Sequence, residues 1–360
     1  MNTVKGWDRS TMMSLYLKET TYDAGVTMAA SPKAGCSMKG YDLAVDWDDK
    51  VATDKDENTG TEYGTLQEIL TKGVKMTYKE AQCKPNTLAG LATLVLGSNT
   101  PTKDGSITAY RHHIVPVTYG TALPSMQVED KFGGIQYAYK GVKGASLKLS
   151  GKPGGYLSLE AALVGSGTRA TSATAFLAGI TESWMKMGDA KVFLETGADI
   201  AVVSSPAYSQ GAENISSATP DILSPRLTNF EFQFSNDLDG QFGFGGGDVF
   251  VDADYKRRKV DLKFSLLFSS AAELAYYIAQ NPCAFELNLK GAQIVTVSPA
   301  STLYFGAIIQ VPKFYLKDAP LPKGGPKDTV TADFTAEVVD DGTNPAAIIE
   351  VFNAQAAYLA

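Results

Sequence analysis

Few side chains in this sequence are equipped for chemistry, and their spacing excludes most reactions. The two histidines, His112 and His113, are adjacent. Adjacent side chains on a strand point to opposite faces, so this pair cannot share a metal ion. The three cysteines, Cys36, Cys83 and Cys283, are far apart and odd in number. They make neither a disulfide framework nor a Cys-x-x-Cys site, and fit a reducing place of synthesis. No Gly-x-Ser-x-Gly elbow or His-Glu-x-x-His helix is present. The glycine-rich run Gly243–Asp248 lacks the Lys-Ser/Thr of a phosphate-binding loop and reads as a flexible connection. Carboxylates abound, but none is set apart as catalytic. The sequence predicts a protein that is not an enzyme and has no cofactor or resident metal.

Two charged segments remain. The first carries Asp46, Asp48, Asp49, Lys50, Asp54, Asp56 and Glu57 before Gly60. Oxygen ligands at alternate positions suit calcium. The glycine, however, falls one place late for an EF-hand, and Thr65 stands where the bidentate Glu belongs. The second, with Asn236, Asp237, Asp239, Asp248, Asp252 and Asp254, falls at the matching point of the second half. Long polar loops of this kind usually serve contacts. The basic cluster Lys256, Arg257, Arg258 and Lys259 is either the solvated start of a strand or a partner for the acidic loop of a neighbouring copy.

The elements around these segments are mostly strands. Apolar and polar residues alternate with period two through Val74–Tyr78, Leu147–Ser150, Leu157–Ala161, Phe230–Phe234, Val260–Leu266 and Val330–Val338. Helix is scarce. Leu88, Leu91, Leu94 and Val95 mark one helix that starts near Asn86 and stops at Gly97, apolar almost all round and therefore buried. Ser270 and Glu273 form a capping box for a second, with Leu274, Tyr277 and Ile278 on one face. Thr65 and Glu68 cap a third, short helix or else precede a strand.

The same order occurs twice. A strand near Tyr41–Trp47, an acidic loop, strand Val74–Tyr78, helix Thr87–Leu96 and a hairpin turned at Pro153-Gly154-Gly155 make the first pass. Strand Phe230–Phe234, a Gly- and Asp-rich loop, strand Val260–Leu266, helix Ala271–Ala279 and a hairpin turned at Gly324-Gly325-Pro326 make the second. The expected organisation is a first repeat at 1–165, an ordered crossover at 166–223 with strands near Lys191–Leu194 and Ile200–Val203, and a second repeat at 224–360.

The chain has 360 residues, 44% apolar, and a net charge of −7. That length permits two cores without disulfide staples, and the acidic balance disfavours a nucleic-acid reader. With no leader-like start and no apolar run near 18 residues, a non-secreted protein without a membrane segment is expected.

In wording as well as order, the chain resembles the tail tube (major tail) proteins of long-tailed bacteriophages in a two-repeat form. The resemblance lies in Leu15–Tyr22, in Leu123-Pro124-Ser125-Met126 with Val128-Glu129, and in Tyr139, Gly141-Val142 and Leu147 to Ser150. It implies a mainly β fold with a few short helices, as two tandem domains of packed antiparallel sheets flanked by a helix. It also implies a virion protein made in the host cytoplasm, with three copies per pseudo-hexameric ring, or six. Such rings stack into a hollow tube that passes DNA without binding it specifically. Tail tip and terminator proteins and a tape measure protein in the lumen are the implied partners. Asp48, Asp49, Lys50, Asp54, Asp56, Glu57, Asp237 and Asp239 would contact the next ring, and Lys256–Lys259 a neighbouring subunit. Two other readings fit a β-rich chain: another tail component such as a terminator, adaptor or decoration protein, and a carbohydrate-binding β-sandwich, which clustered loop aromatics would favour, whereas Tyr63, Trp184 and Phe250 lie in or near loops without clustering in sequence.

Overall fold

The computed structural model describes residues 9–28, 36–39, 43–54, 66–176, 182–196, 201–202, 208–216, 221–222, 226–244, 247–268, 272–318, 330–339 and 342–360. The alternation read in the sequence becomes one long antiparallel sheet. In Val74–Glu80, residues Val74, Met76 and Tyr78 are buried while Lys75 and Lys79 are exposed. Leu43–Trp47 pairs with Val74–Glu80, which pairs with Ser158–Gly165, which pairs with the second half of Ile135–Gly151. There Ser146–Gly151 pairs with Phe230–Ser235 of the strand Leu227–Ser235. Lys259–Leu267, Thr331–Val338 and the end of Tyr304–Leu316 follow in order. In each half of this sheet the strands lie in the chain order first, second, fourth, third.

A second layer repeats a pattern too. Arg9–Met13, Met126–Phe132, the first part of Ile135–Gly151 and Arg169–Thr171 are neighbours in one half. Ala190–Thr196, Cys283–Gln293, the first part of Tyr304–Leu316 and Ile348–Asn353 are neighbours in the other. The segment between the two halves is thus knitted into both. Ile348–Asn353 also pairs with Tyr110–Pro116, which pairs with Gly97–Lys103, so the last strand is stitched to the first half.

Ile135–Gly151 and Tyr304–Leu316 each belong to both layers, and so must bend. In the first, the register shifts between Tyr139 and Val142 around Gly141, whose φ of 60° places it in the left-handed region. A Cβ there would lie 2.9 Å from that of Ser166 and 3.0 Å from the Tyr22 ring, which only glycine avoids.

Helix α1, Pro85–Leu96, is buried along its whole length and ends on Gly97 at φ 93°, as the apolar pattern requires. Helix α2, Ala272–Ala279, packs Tyr277 against the core, but Ile278 is exposed. Ser270 of its capping box and the turn at Gly324-Gly325-Pro326 lie outside the described residues. Glu68 belongs to a strand, Leu66–Thr71, paired with Lys50–Asp54. The strand alternative therefore holds at that position. In the second half the layers meet through rings: Phe285 stacks on Phe264 at 5.5 Å and on Phe230 at 5.6 Å, contacts worth about 1 kcal/mol each beyond the area they bury.

The three passages that carried the family resemblance converge on one carboxylate. Buried Glu19 accepts hydrogen bonds from the backbone N–H of Asp23 (3.1 Å), Gly25 (3.0 Å) and Gly141 (3.0 Å), and from the Ser125 hydroxyl (2.7 Å). It fixes the N-terminal strap to the bend of the long strand. Glu19→Ala strands these donors in a site water cannot enter freely. A loss of roughly 3–5 kcal/mol of stability is expected, with Glu19→Gln recovering part of it. Urea unfolding of the three proteins checks this.

Candidate assembly surfaces

Between the first and second strand of each half a two-stranded ribbon leaves the sheet. The first pairs Lys50–Asp54 with Leu66–Thr71, and the second pairs Leu238–Gln241 with Asp252–Tyr255. Both arise where the sequence has a long acidic loop. Both expose apolar side chains: Val51, Ile69 and Leu70 (57% exposed) on the first, and Phe242, Phe244 and Val251 on or beside the second, with Phe244 fully exposed. Clustered apolar surface on a ribbon mostly open to solvent marks a contact surface.

Several of the predicted contact residues are engaged within the chain. Asp48 pairs with Lys75 at 2.8 Å. Asp49 pairs with Arg169, whose guanidinium lies 4.2 Å from the centre of the Trp47 ring. Lys50 is exposed at the ribbon base. Asp54 falls in the ribbon strand, and Asp56 and Glu57 lie outside the described residues. Asp237, at φ 48°, accepts from the Lys256 N–H at 3.3 Å, and Asp239 pairs with the Lys256 ammonium at 2.7 Å. Hydrogen bonding to Asp239 raises the Lys256 pKa, but both groups are solvated and the pair adds little stability. Lys259 pairs with Asp261 at 2.8 Å, and Arg257 is exposed. Arg258 donates to the Val117 carbonyl and lies 4.0 Å over the Tyr255 ring. Its Nε and Nη2 atoms are buried and have no hydrogen-bond partner among the described residues.

The second ribbon also reaches back to the base of the first. Asp248 pairs with the Lys72 ammonium at 2.5 Å, and this hydrogen bond holds the Asp248 carboxyl below its usual range. The Phe250 N–H donates to the Ser166 carbonyl at 2.9 Å, and the Phe250 ring lies against Gly240, where a Cβ would come within 2.5 Å of it. No sequence signal singled out Lys72, since its partner lies in the other half of the chain.

The remaining candidates are structural. Trp184 packs edge-on to Tyr156 and Phe250 packs on Phe242, so these aromatics sit in separate clusters; Tyr63 lies outside the described residues. His113 meets Glu350, while His112 is wholly buried beside Tyr358. Among the described residues no helix is long and apolar enough to cross a membrane.

Strands that alternate wet and dry faces, with ribbons that expose apolar side chains, suit a chain that makes contacts with other chains. More specifically, the phage tail tube protein family matches residues 15–338, and the chain belongs to that family. It is thus a structural component of the virion tail that assembles with itself into a tube. No curated protein matches the chain.

His112 gives a test of the interior. Its Nε2–H donates to the Gln355 carbonyl at 2.9 Å and its Nδ1 accepts from the Asn99 amide at 3.3 Å, which suits the neutral ring. Burial pulls its pKa down from 6.5 to about 4. The unfolded chain therefore takes up the proton first. The contribution is complete above pH 6.5 and is lost as pH falls towards 4. Between pH 7 and pH 5 His112 is expected to cost about 2 kcal/mol of stability, a loss that His112→Gln should lack. Urea unfolding at both pH values measures the difference; equal losses in the two proteins would contradict the assignment.

Proposed function

We propose that this chain is the ring subunit of a hollow tail tube that conducts genomic DNA into the host. It consists of two tandem tube domains, so that three copies close a pseudo-hexameric ring. The observation that carries this reading is the joint between Ser146–Gly151 and Phe230–Ser235. Two four-stranded units of the same strand order meet there edge to edge. Among the described residues the outer edge of Leu43–Trp47 has no strand partner, nor does the edge of Tyr315 to Lys317 opposite Thr331–Val338. Repeating the internal joint between copies joins these edges and removes two openings that would otherwise invite random pairing.

The wet face of the long sheet lines the bore in this arrangement. Along it Lys79 pairs with Glu160 and Lys148 with Glu231, with Lys263 also near Glu231. Alternating signs offer duplex DNA a hydrated wall with no continuous basic track to grip it. The net charge of −7 adds a repulsion that reaches only about 8 Å at physiological salt.

Identical rings stack head to tail through a heterologous contact, which is what makes a filament. The ribbons carry that contact through their exposed apolar side chains and the charged residues Asp48, Asp49, Lys50, Asp54, Asp56, Glu57, Asp237 and Asp239. The cluster Lys256–Lys259 faces a neighbouring copy. Tail tip and terminator proteins cap the ends, a tape measure protein occupies the lumen before ejection, and synthesis takes place in the host cytoplasm.

Negative-stain imaging of the purified chain is expected to show tubes of constant width with an axial channel. Compact particles without a channel would overturn the proposal. Leu70→Asp combined with Phe244→Asp places charge on both ribbons and should leave rings while shortening or abolishing tubes. Tubes of normal length from that double variant would remove the ribbons from the stacking contact.

A further inference from the structure

A helix lies across the internal joint, and the matching pieces stand apart at the two ends of the long sheet. Trp47 pairs with Val74, Val45 with Met76 and Leu43 with Tyr78, while Phe234 pairs with Val260, Phe232 with Leu262 and Phe230 with Phe264. Val74 and Val260 each follow a ribbon, so Trp47 holds in the first half the place that Phe234 holds in the second. The helices match as well. Helix α1 stops on Gly97 at φ 93° and α2 on Gln280 at φ 50°, both in the left-handed region. Counting back two residues from each stop gives Val95 and Ile278.

At the joint both places are covered. Helix α1 rests on Ile135–Gly151 and reaches across to Leu227–Ser235. Val95 is wholly buried against Gly144, its carbonyl accepts from the Asn236 amide at 2.6 Å, and Phe234 is 1% exposed. At the ends of the sheet the same places face solvent. Helix α2 rests on Tyr304–Leu316, the strand in the place of Ile135–Gly151, while Leu43–Trp47 lies at the opposite edge in the other half. Ile278 is 71% exposed and Trp47 51% exposed. Ala275 and Ala279, on the same side of α2 as Ile278, are exposed too. The indole is already held in place, with the Arg169 guanidinium 4.2 Å from its centre and Tyr137 packed edge-on at 5.8 Å. A fixed aromatic ring loses little freedom on binding and makes a strong anchor.

We propose that α2 of one copy covers the edge strand Leu43–Trp47 of a second copy, bringing Ile278 and Trp47 together at the boundary as Val95 and Phe234 are buried at the internal joint. The occupant is a second copy of this chain because the chain itself carries both sides of the contact, in the relation that its own joint displays. The two sides lie at opposite ends of one sheet. A copy that gives its α2 to one neighbour therefore receives the α2 of the other, a heterologous contact that can close a ring. This inference rests on the ring reading above and adds to it a lateral apolar anchor, distinct from the ribbon surface assigned to stacking.

The experiment uses the full chain, with assembly read by sedimentation velocity and negative-stain imaging. Ile278→Asp and Trp47→Asp should each lower the fraction in rings by about tenfold or more, the scale expected when a central apolar anchor is lost. Ile278→Leu should assemble like the parent. A second readout introduces no charge. Chains carrying Ile278→Cys are mixed with chains carrying Trp47→Cys and treated with a short bismaleimide. The two kinds of chain should become linked to each other well above the level seen with the parent, and neither variant alone should gain that link. Aspartate variants that assemble like the parent, or a mixture that links no more than the parent, would overturn the contact and leave the ring reading standing. A parent chain that stays monomeric would overturn both.

Discussion

Six residues of backbone pairing, Ser146–Gly151 against Phe230–Ser235, hold the two halves of the chain in one sheet. Their hydrogen bonds put Leu147 and Leu149 in line with Phe232 and Phe234, so the buried faces of both halves form one surface. Helix α1 seals this seam. A Cβ on Gly144 would come within 2.4 Å of Val95, so only a glycine lets the helix approach so closely. Asn236 then donates to the carbonyls of Val95 and Gly144, at 2.6 and 2.9 Å, tying helix, long strand and ribbon base together. A one-residue slip at this seam would turn the phenylalanines to water.

The interior is not uniformly apolar, and two of its buried carboxylates are held by dense sets of donors. Glu19 gathers four donors, and Glu286 accepts from the amides of Asn214, Asn288 and Gln310 at 2.8 to 3.0 Å. Burial raises the Glu286 pKa, while those amides pull it back. The outside presents the opposite situation. Apolar side chains stand in solvent on the ribbons, and two strand edges stand unpaired among the described residues. Apolar side chains and strand edges left open at particular places outside are what a subunit requires if it is completed by others of its kind.

Much of this was legible in the residues. Alternation placed the strands of the long sheet, because a sheet with one wet face demands period two. The apolar circumference of Leu88 to Leu96 announced a buried helix ending at Gly97, and the adjacency of His112 and His113 on a strand anticipated their different surroundings, His112 beside Tyr358 and His113 against Glu350. The strand Leu66–Thr71 was ambiguous because its capping signal and its β character compete locally, and only pairing with Lys50–Asp54 decides between them. The partners of the charged loops were not legible. Asp49 meets Arg169 and Asp248 meets Lys72, pairs separated by long stretches of chain that carry no trace of one another in local spacing.

By itself, then, the sequence determined the mainly β fold class and the scarcity of helix, since these follow from periodicity and residue type. The tertiary structure alone decided which acids are taken up within the chain, where the seam lies, and that two Arg258 nitrogens are buried without a hydrogen-bond partner among the described residues. Such properties depend on through-space distances between residues far apart in the chain, and local pattern carries no information about those distances.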